Sequence, residues 1–328
     1  MTHQDVYLDP ALRLRSASLA DVNAVAKLTF DAAQLEGDIS FVMTAEELAN
    51  AWRDEGFLVE RDVFVVETQA GRVVGSAEFY NEDAHCKLKA DGCVHPEFRG
   101  LGIGTTLLVK MEERALTELE LAEPGRRVVL QSMINAKNEA GDSLLRAMGY
   151  TPIRYFWRME IKLQEMPPLV TFPDGIELRP FNKDEHAIAI WQADNEAFRD
   201  HWGSHDRTYE EWSHQKFGNP NFDPTLWMVA WDGDEVAGFS QNRVRMGIGW
   251  VGTIGVRRPW RGKGLGLALM KQTFGEFYNR GMKTVGLGVD AGNPTGATRL
   301  YQKVGMHPAS EHVTYEKELR AGRNVDEE

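Results

Sequence analysis

Two long segments of this 328-residue chain repeat the same pattern at a fixed displacement. The stretch CVHPEFRGLGIGTTLLVKMEERA, which begins at Cys93, corresponds to GVRRPWRGKGLGLALMKQTFGEF, which begins at Gly255. LRLR at Leu12 matches IELR at Ile176 at nearly the same offset. The displacement far exceeds the roughly 20–50 residues of a solenoid unit, so the repeat indicates a duplicated domain.

The boundary between the two copies is expected in residues 164–173, QEMPPLVTFP, where three prolines interrupt the apolar pattern. This placement predicts an N-terminal domain over residues 1–165 and a C-terminal domain over residues 170–328. Each copy is long enough to bury a core of its own.

Hydrophobic periodicity predicts one element order for both copies: a strand, two helices, three strands, a helix, a strand, a helix and a final extended stretch. In the first copy the predicted elements are a strand at 12–15, helices at 18–30 and 45–55, a hairpin at 63–68 and 73–80, a helix at 105–119 and a strand at 128–133. In the second copy they are a hairpin within 226–241, a helix at 267–279, a strand at 284–289 and a helix at 295–304.

The composition excludes several classes of protein. A formal charge of −12 and a pI near 5.3 argue against nucleic acid as a partner, because phosphate binding needs a basic face, and they suit a small cationic substrate. The apolar runs are too short to span a membrane, and the polar start does not resemble a signal peptide. Cys86 and Cys93 form no metal-binding pattern, so we expect no metal and a reducing cytoplasmic location.

Each copy also contains a strand that leads through an arginine and glycine loop into a helix. Val94 leads into the loop RGLGIG over residues 99–104, and Val256 leads into RGKGLG over residues 261–266. Glycines allow a close approach of backbone to ligand, and the helix start offers free N–H groups to an anion such as a pyrophosphate. Neither loop has the Walker A or the GxGxxG dinucleotide spacing. The residues expected to contribute are Arg99, Gly100, Gly102, Gly104, Arg261, Gly262, Lys263, Gly264 and Gly266.

These loops resemble the (Arg/Gln)-x-x-Gly-x-(Gly/Ala) motif of the GNAT family of N-acetyltransferases. The later part of the family pattern is matched by Asn293, by Tyr301 and by the pair Gly305 and Met306. The tandem arrangement is similar to that of the mycothiol synthase type. The resemblance implies an α/β fold with two tandem domains, each with a mixed, mostly antiparallel sheet flanked by helices.

The resemblance further implies that acetyl-CoA is the co-substrate. The loop amides would hold its pyrophosphate, main-chain groups from Ile254 to Val256 would pair with the pantetheine arm, and the splayed fourth and fifth strands would form the acyl cleft. An amide near Val256 would stabilise the oxyanion of the tetrahedral intermediate. Asn293 belongs to the same cofactor site.

The two copies differ at the position of the proton donor. Alignment of Gly149 with Gly305 places Leu145 opposite Tyr301. The family uses this tyrosine to protonate the departing thiolate, and a leucine has no proton to give. Tyr301 is therefore predicted to be the general acid and the C-terminal copy the catalytic one, and the N-terminal copy is expected to be non-catalytic. The alternative for Tyr301 is a core residue on its helix.

The general base is not identified by the sequence. The mycothiol synthase type uses a glutamate on the fourth strand, and Trp250 stands at that position here. Residues 198–212, FRDHWGSHDRTYEEW, supply alternatives, because a histidine or carboxylate near the acceptor could take the amine proton. The candidates are His205, Asp206 and Glu210, with His201 and Glu211 beside them, and a water chain is also open.

The function predicted is transfer of an acetyl group from acetyl-CoA to the primary amine of a small molecule, by direct attack in a ternary complex. Three alternatives stay open: a non-catalytic acyl-CoA binding or sensing protein, a mycothiol-synthase-like enzyme, and a protein N-acetyltransferase. A monomer is the preferred assembly and a dimer the alternative. The sequence does not identify the acceptor.

Overall fold

The computed structural model describes residues 7–199, 206–293 and 296–324 of the chain. Their contacts divide them into two compact units, the first drawn from Met1–Tyr155 and His312–Glu328 and the second from Phe156–Glu311. Within the described residues each unit has a six-stranded mixed sheet. The α/β fold with mixed sheets and flanking helices is therefore confirmed.

The first copy supplies most of the first unit, and its sheet is antiparallel except where β4 lies parallel to β5. Its elements are β1 (Leu12–Ser16), α1 (Val22–Glu36), α2 (Ala45–Ala51), α3 (Val59–Asp62), β2 (Val63–Thr68), β3 (Val73–Asp83), β4 (Lys87–Val94), α4 (Ile103–Leu116), β5 (Val128–Asn135), α5 (Glu139–Ala147) and the start of β6 (Thr151–Lys162).

The second copy repeats this arrangement in the second unit, with β10 parallel to β11 and the other described pairings antiparallel. Its elements are β7 (Ile176–Pro180), α6 (Lys183–Phe198), α7 (Tyr209–Phe217), β8 (Met228–Asp232), β9 (Glu235–Arg245), β10 (Ile248–Val256), α8 (Leu265–Asn279), β11 (Thr284–Asp290), α9 (Ala297–Lys303) and β12 (His307–Arg320).

The apolar faces that the sequence predicts for the long helices pack against the sheets. Leu107, Leu108, Met111 and Ala115 of α4 are buried in one core with strand residues of the first unit. In the second unit, Met270, Phe274 and Phe277 of α8 are buried with residues of β10 and β11. This packing fixes each long helix, and with it the glycine loop at the N-terminus of that helix.

The division of the chain differs in one respect from the contiguous domains predicted from the proline-rich segment. Residues 312–320 of β12, from the second copy, pair with β5 in the first unit. Residues 156–162 of β6, from the first copy, pair with β11 in the second unit. Exchange of equivalent strands satisfies the same backbone hydrogen bonds, so duplicated sequences permit it at little energetic cost.

The helices and strands otherwise lie where periodicity places them, with ends that differ by a few residues. Helix α1 extends past the predicted end at Phe30 to Glu36, where Gly37 ends it in a left-handed conformation. The four-residue helix α3 was not predicted. The predicted start of α9, Thr295, lies outside the described residues. No helix in the part of the chain that the structure describes is both long and apolar enough to cross a membrane.

Candidate active site

The glycine loop of the second copy is open to ligand. Gly262 and Gly264 have φ values of 74° and 86°, a left-handed conformation that favours glycine. A Cβ built at either position would meet no atom within 4 Å among the described residues. Gly264 is the N-cap of α8, so the first N–H groups of a 15-residue helix point out of this loop. The arrangement suits an anion held by backbone amides.

Arg261 connects this loop to the strand before it. Its Nε donates to the carbonyl of Val256 at 2.9 Å, and its guanidinium also donates to the carbonyl of Ala197 at 3.0 Å. These bonds tie the loop to the end of β10 and to helix α6. Lys263 is exposed at the tip of the loop. Gly266, in the first turn of α8, lies against Leu300, which packs α8 beside α9.

The loop of the first copy has the same backbone shape, with φ values of 82° at Gly100 and Gly102, but it is covered. A Cβ at Gly102 would lie 1.8 Å from the carbonyl oxygen of Tyr7. The amide of Asp9 donates to the carbonyl of Leu101 at 3.1 Å. The segment over residues 7–9 therefore lies directly against this loop.

The arginine of the first loop also has a different partner. The guanidinium of Arg99 donates to the carboxylate of Glu36 at 2.9 Å. Burial raises the pKa of Glu36, and the charge of Arg99 opposes this shift. Arg99 is thus held by an acidic side chain, whereas its counterpart in the second copy bonds to carbonyl oxygens. Val94 and Gly104 occupy the places that the motif assigns to them, at the end of β4 and the start of α4.

Strands β10 and β11 separate where the resemblance predicts an acyl cleft. The described residues pair these strands only at Gly249 with Val285 and at Trp250 with Gly286. A bulge between Val251 and Thr253 then bends β10, whose pairing with β9 continues to Val256. On the side facing β11, the backbone from Ile254 to Val256 is free of strand pairing among the described residues. An extended, amide-containing arm fits such an edge.

The corresponding opening in the first copy is bridged. Strands β4 and β5 pair from Lys87 to Lys89 and then diverge. Across the gap, the amide of Met133 on β5 donates to the carboxylate of Asp91 on β4 at 3.2 Å. The side chain of Asp91 therefore lies between β4 and β5. The second copy has no acid at the corresponding position, which is Thr253.

Tyr301 lies on α9, beside the strands that diverge. It is buried in one cluster with Val251 of β10 and with Leu287 and Val289 of β11. Burial raises the pKa of Tyr301 to about 12, so the phenol stays protonated at neutral pH. None of the described residues accepts a hydrogen bond from its hydroxyl. A protonated phenol beside the cleft has the chemical character of a proton donor.

The other aligned positions agree with the difference between the copies. Leu145 of α5, opposite Tyr301 in the repeat, is a buried apolar residue of the first core. Asn293 follows β11, and its backbone N–H donates to the backbone carbonyl of Asp290 at 3.1 Å.

The base candidates that the structure describes are surface residues with other roles. Asp206 is paired with Arg199 at 2.7 Å and its side chain is 52% exposed. Glu210 is exposed on the first turn of α7. Glu211 accepts from the backbone N–H of Thr208 at 2.8 Å as part of a capping box. His201 and His205 lie outside the described residues.

Trp250 fills the position where the mycothiol synthase type has a glutamate. Its side chain is 4% exposed, and its backbone pairs with Arg243 on one side and with Gly286 on the other. This place on β10 is therefore part of the apolar core, and no carboxylate stands there.

Sequence reasoning missed one group in this region, Lys216 at the end of α7. Its amine donates to the hydroxyl of Thr253, in the bulge of β10, at 2.8 Å. Burial is the main cause that lowers the pKa of Lys216 to about 8, and the charges of Arg207 and Arg243 act in the same direction. The repeat contained a signal for this residue. Trp52 of the first copy and Lys216 each lie eight residues after the threonine N-cap of their helix, so a lysine stands where the first copy has an apolar side chain.

Comparison with known proteins places both copies in one family. Residues 187–306 match the acetyltransferase (GNAT) family, and residues 60–152 match an acetyltransferase (GNAT) domain. The chain is 31% identical over 250 residues to a mycothiol acetyltransferase of Streptomyces scabiei, covering 75% of each chain. It is 28% identical over 303 residues to that of Streptomyces bingchenggensis, covering 90% of each.

Two solved structures are similar over nearly the whole chain. A GCN5-related N-acetyltransferase from Sphaerobacter thermophilus matches with a TM-score of 0.81 and 34% identity, covering 97% of this chain and 99% of that one. A tandem GNAT protein from the clavulanic acid biosynthesis pathway matches with a TM-score of 0.71 and 18% identity, covering 95% and 100%. The second likeness shows the fold alone. The resemblance drawn from the glycine loops is therefore confirmed.

Proposed function

Because the chain belongs to the GNAT family and is a tandem N-acetyltransferase, we propose that its C-terminal copy transfers the acetyl group of acetyl-CoA to the primary amine of a small molecule. The observation that carries this assignment is Tyr301, a protonated phenol beside the diverging strands, opposite Leu145 in the other copy. The open loop at Gly264 and the covered loop at Gly102 support the same assignment.

The coenzyme site that we propose uses backbone more than side chains. The amides at the start of α8 hold the pyrophosphate, and the backbone edge from Ile254 to Val256 pairs with the pantetheine arm. Lys263 contributes a flexible charge, and Arg261 keeps the loop attached to β10. The proposed contacts are Ile254, Val256, Arg261, Gly262, Lys263, Gly264, Gly266 and Asn293, with Val94, Arg99, Gly100, Gly102 and Gly104 as their counterparts in the first copy.

The reaction is direct acyl transfer. The unprotonated amine attacks the carbonyl carbon of the thioester, and the N–H groups near Val256 stabilise the oxyanion that forms. When the intermediate collapses, the C–S bond breaks and Tyr301 donates its proton to the departing sulfur. The amine nitrogen loses a proton, so the products are an amide and free CoA thiol.

The acceptor of that proton is left unassigned between a side chain and water. Asp206 and Glu210 are exposed, so either could act only through a bound substrate or a water chain. His205 is the remaining candidate from the same segment. A pH profile of kcat/KM for each of three variants, His205→Ala, Asp206→Asn and Glu210→Gln, distinguishes them, since loss of the base removes the acidic limb.

The mycothiol precursor is a second candidate acceptor, favoured by the names of the relatives in Streptomyces. Against it stands Trp250, which replaces the strand glutamate of that type with a buried apolar side chain. Release of free thiol from acetyl-CoA with a panel of small amines, a peptide N-terminus and the mycothiol precursor ranks the acceptors. Binding of acetyl-CoA without turnover on any of them would favour the sensing alternative.

Calorimetric titration of acetyl-CoA into the wild type tests the coenzyme site before any acceptor is known. We expect one site per chain. Lys263→Glu and Arg261→Glu should each weaken it, and Arg99→Glu in the first copy should leave it intact. Absence of binding to the wild type, or a site lost with Arg99→Glu alone, would contradict the proposal.

A further inference from the structure

A small cavity lies beside the bulge of β10, on the side of helix α7. Its volume is about 40 Å³, and Lys216, Gln241, Arg243 and Thr253 are among the residues that line it. That space exceeds the roughly 10–15 Å³ that one water needs, so a planar group of three or four heavy atoms fits. Thr253 directly precedes Ile254, where the proposed coenzyme arm begins.

The wall of this cavity is rich in positive charge. Lys216 and Arg243 line it, and no aspartate or glutamate is among its described lining residues. Among the described residues, the carboxylate of Asp194 lies 3.7 Å from the amine of Lys216. Asp194 also lies 3.4 Å from Arg207 and accepts from the indole N–H of Trp212 at 2.8 Å. Burial and the neighbouring cations disfavour the charged form of Lys216, and they lower its pKa.

Gln241 offers a second, independent sign of a ligand. Its side chain is 4% exposed, and neither its amide nitrogen nor its amide oxygen has a hydrogen-bond partner among the described residues. The next residue, Asn242, is equally buried but donates to the carbonyls of Leu226 and Ser240. Buried amides are normally satisfied, so an unpartnered one in the wall of a cavity indicates a missing partner.

The first copy has acidic and aromatic side chains at the positions equivalent to this cavity. Glu78 of β3 pairs with Asp91 in the register that Gln241 and Thr253 occupy in the second copy. Trp52 stands where the second copy has Lys216, and its indole N–H donates to Glu78 at 3.2 Å. The hydroxyl of Tyr80 donates to the same carboxylate. The first copy thus has an internally satisfied Glu78 where the second has the unpartnered amide of Gln241, and an indole where the second has the amine of Lys216.

We propose that this cavity binds a carboxylate group of the acceptor, so that the acceptor is a primary amine that also carries a carboxylate, such as an amino acid. The carboxylate accepts hydrogen bonds from the amine of Lys216 and from the side-chain N–H of Gln241. These bonds hold the acceptor beside the bulge of β10, on the side of α7. This inference rests on the proposed function, because it names the substrate class of the same site.

Matched amines test the charge requirement. L-alanine, β-alanine and γ-aminobutyrate are each compared with their primary amides, which have the same size and no negative charge. For at least one pair the acid should have kcat/KM higher by about 10- to 100-fold, the range expected for a charge-assisted bond. The amide has the less basic and hence more readily deprotonated amine, so intrinsic reactivity opposes this preference.

Variants identify the residues. Lys216→Met should lower kcat/KM for the preferred acid by about 10-fold or more and leave its amide within about 3-fold. Gln241→Glu, which introduces the acid of the first copy, should remove the preference for the acid. Lys27→Met, at a lysine whose side chain is 74% exposed on α1, is the control. Calorimetry with acetyl-CoA on every variant verifies that each is folded and loads its coenzyme.

Several results would overturn the inference. Equal rates with acids and amides in the wild type would exclude a carboxylate pocket, and an equal loss with both in Lys216→Met would assign Lys216 to the chemistry or the fold. If no pair turns over, saturation-transfer NMR with the CoA-loaded protein decides, and binding of the amides as strongly as the acids contradicts the inference. Failure of the proposed function is separate, because it appears as absence of acetyl-CoA binding or as binding without turnover on any amine, whether or not the amine carries a carboxylate.

Discussion

The side-chain amine of Lys216 donates a hydrogen bond of 2.8 Å to the hydroxyl of Thr253. This contact joins the last turn of α7 to the bulge of β10, the point where β10 begins to diverge from β11. A lysine that is only 16% exposed carries a cost, since burial disfavours its charged form. Its contribution to stability must therefore depend on pH.

Stability should rise with pH in the wild type relative to Lys216→Met. The pKa of Lys216 is about 8 in the folded protein against 10.5 for an unperturbed lysine. Between these values the unfolded state binds more protons than the native state, so the free energy of unfolding increases with pH. The full shift corresponds to about 3 kcal/mol. Urea unfolding of both proteins across this window measures the difference, and a flat difference would contradict the lowered pKa.

Tyr301→Phe should lower kcat by about 100-fold or more and leave acetyl-CoA affinity unchanged, because only the proton donor is lost. Tyr278→Phe, a tyrosine of α8 in the same unit, is the matched control and should retain full activity. Since the pKa of Tyr301 is about 12, ionisation of this phenol should not reduce wild-type kcat anywhere near neutral pH. The steady-state rate of CoA thiol release at saturating substrate gives kcat. A Tyr301→Phe variant with wild-type kcat would remove Tyr301 from the mechanism.

Gly262→Ala and its repeat counterpart Gly100→Ala should separate coenzyme binding from strain. Both glycines have positive φ and both have open space at the Cβ position, so each substitution should destabilise the protein by about 1–2 kcal/mol. Only Gly262→Ala should weaken acetyl-CoA binding, by about 10-fold, because in the proposed site the loop amides approach the pyrophosphate at Gly262. Thermal unfolding and calorimetry measure the two effects. Equal affinities would place the coenzyme elsewhere.

Gly102→Ala and Gly264→Ala should differ in stability instead. At Gly264 a methyl group meets open space, whereas at Gly102 it would lie 1.8 Å from the carbonyl of Tyr7. The segment over residues 7–9 must then move and lose the bond from Asp9 to Leu101. We expect Gly102→Ala to be less stable by a further ~1 kcal/mol or more, with faster proteolysis before residue 12. Similar stabilities and cleavage rates would show that the segment does not rest on this loop.

Much of this architecture was predictable from the chain because the repeat doubles every local signal. Leu12, Val128 and Leu267 each fall in an element of the predicted type, since binary patterning and glycine punctuation determine such elements locally. The family resemblance placed Tyr301 on the helix after β11 in the same way.

The exchange of β6 and β12 could not be predicted, because identical hydrogen-bond patterns accept either copy of the strand and no local residue type distinguishes them. The cavity at Gln241 and Lys216 was equally hidden. Its residues come from α7, β9 and β10, and only tertiary packing reveals that Gln241 has no partner. From the sequence alone, a lysine near the end of a helix is expected to be exposed to solvent, and only its neighbours in the fold show that it is buried.

The strand exchange gives the first copy a structural role in the sheet of the second unit. A gene fragment that encodes only residues 170–328 would lack β6, the strand that pairs with β11 beside Tyr301. Without the N-terminal copy, β11 loses this partner and β12 loses β5, so β12 must move to β11 or leave an edge that is prone to pair with other chains. A copy whose own loop is covered by Tyr7 and whose aligned residue is Leu145 thus still supplies a strand to the unit that contains Tyr301.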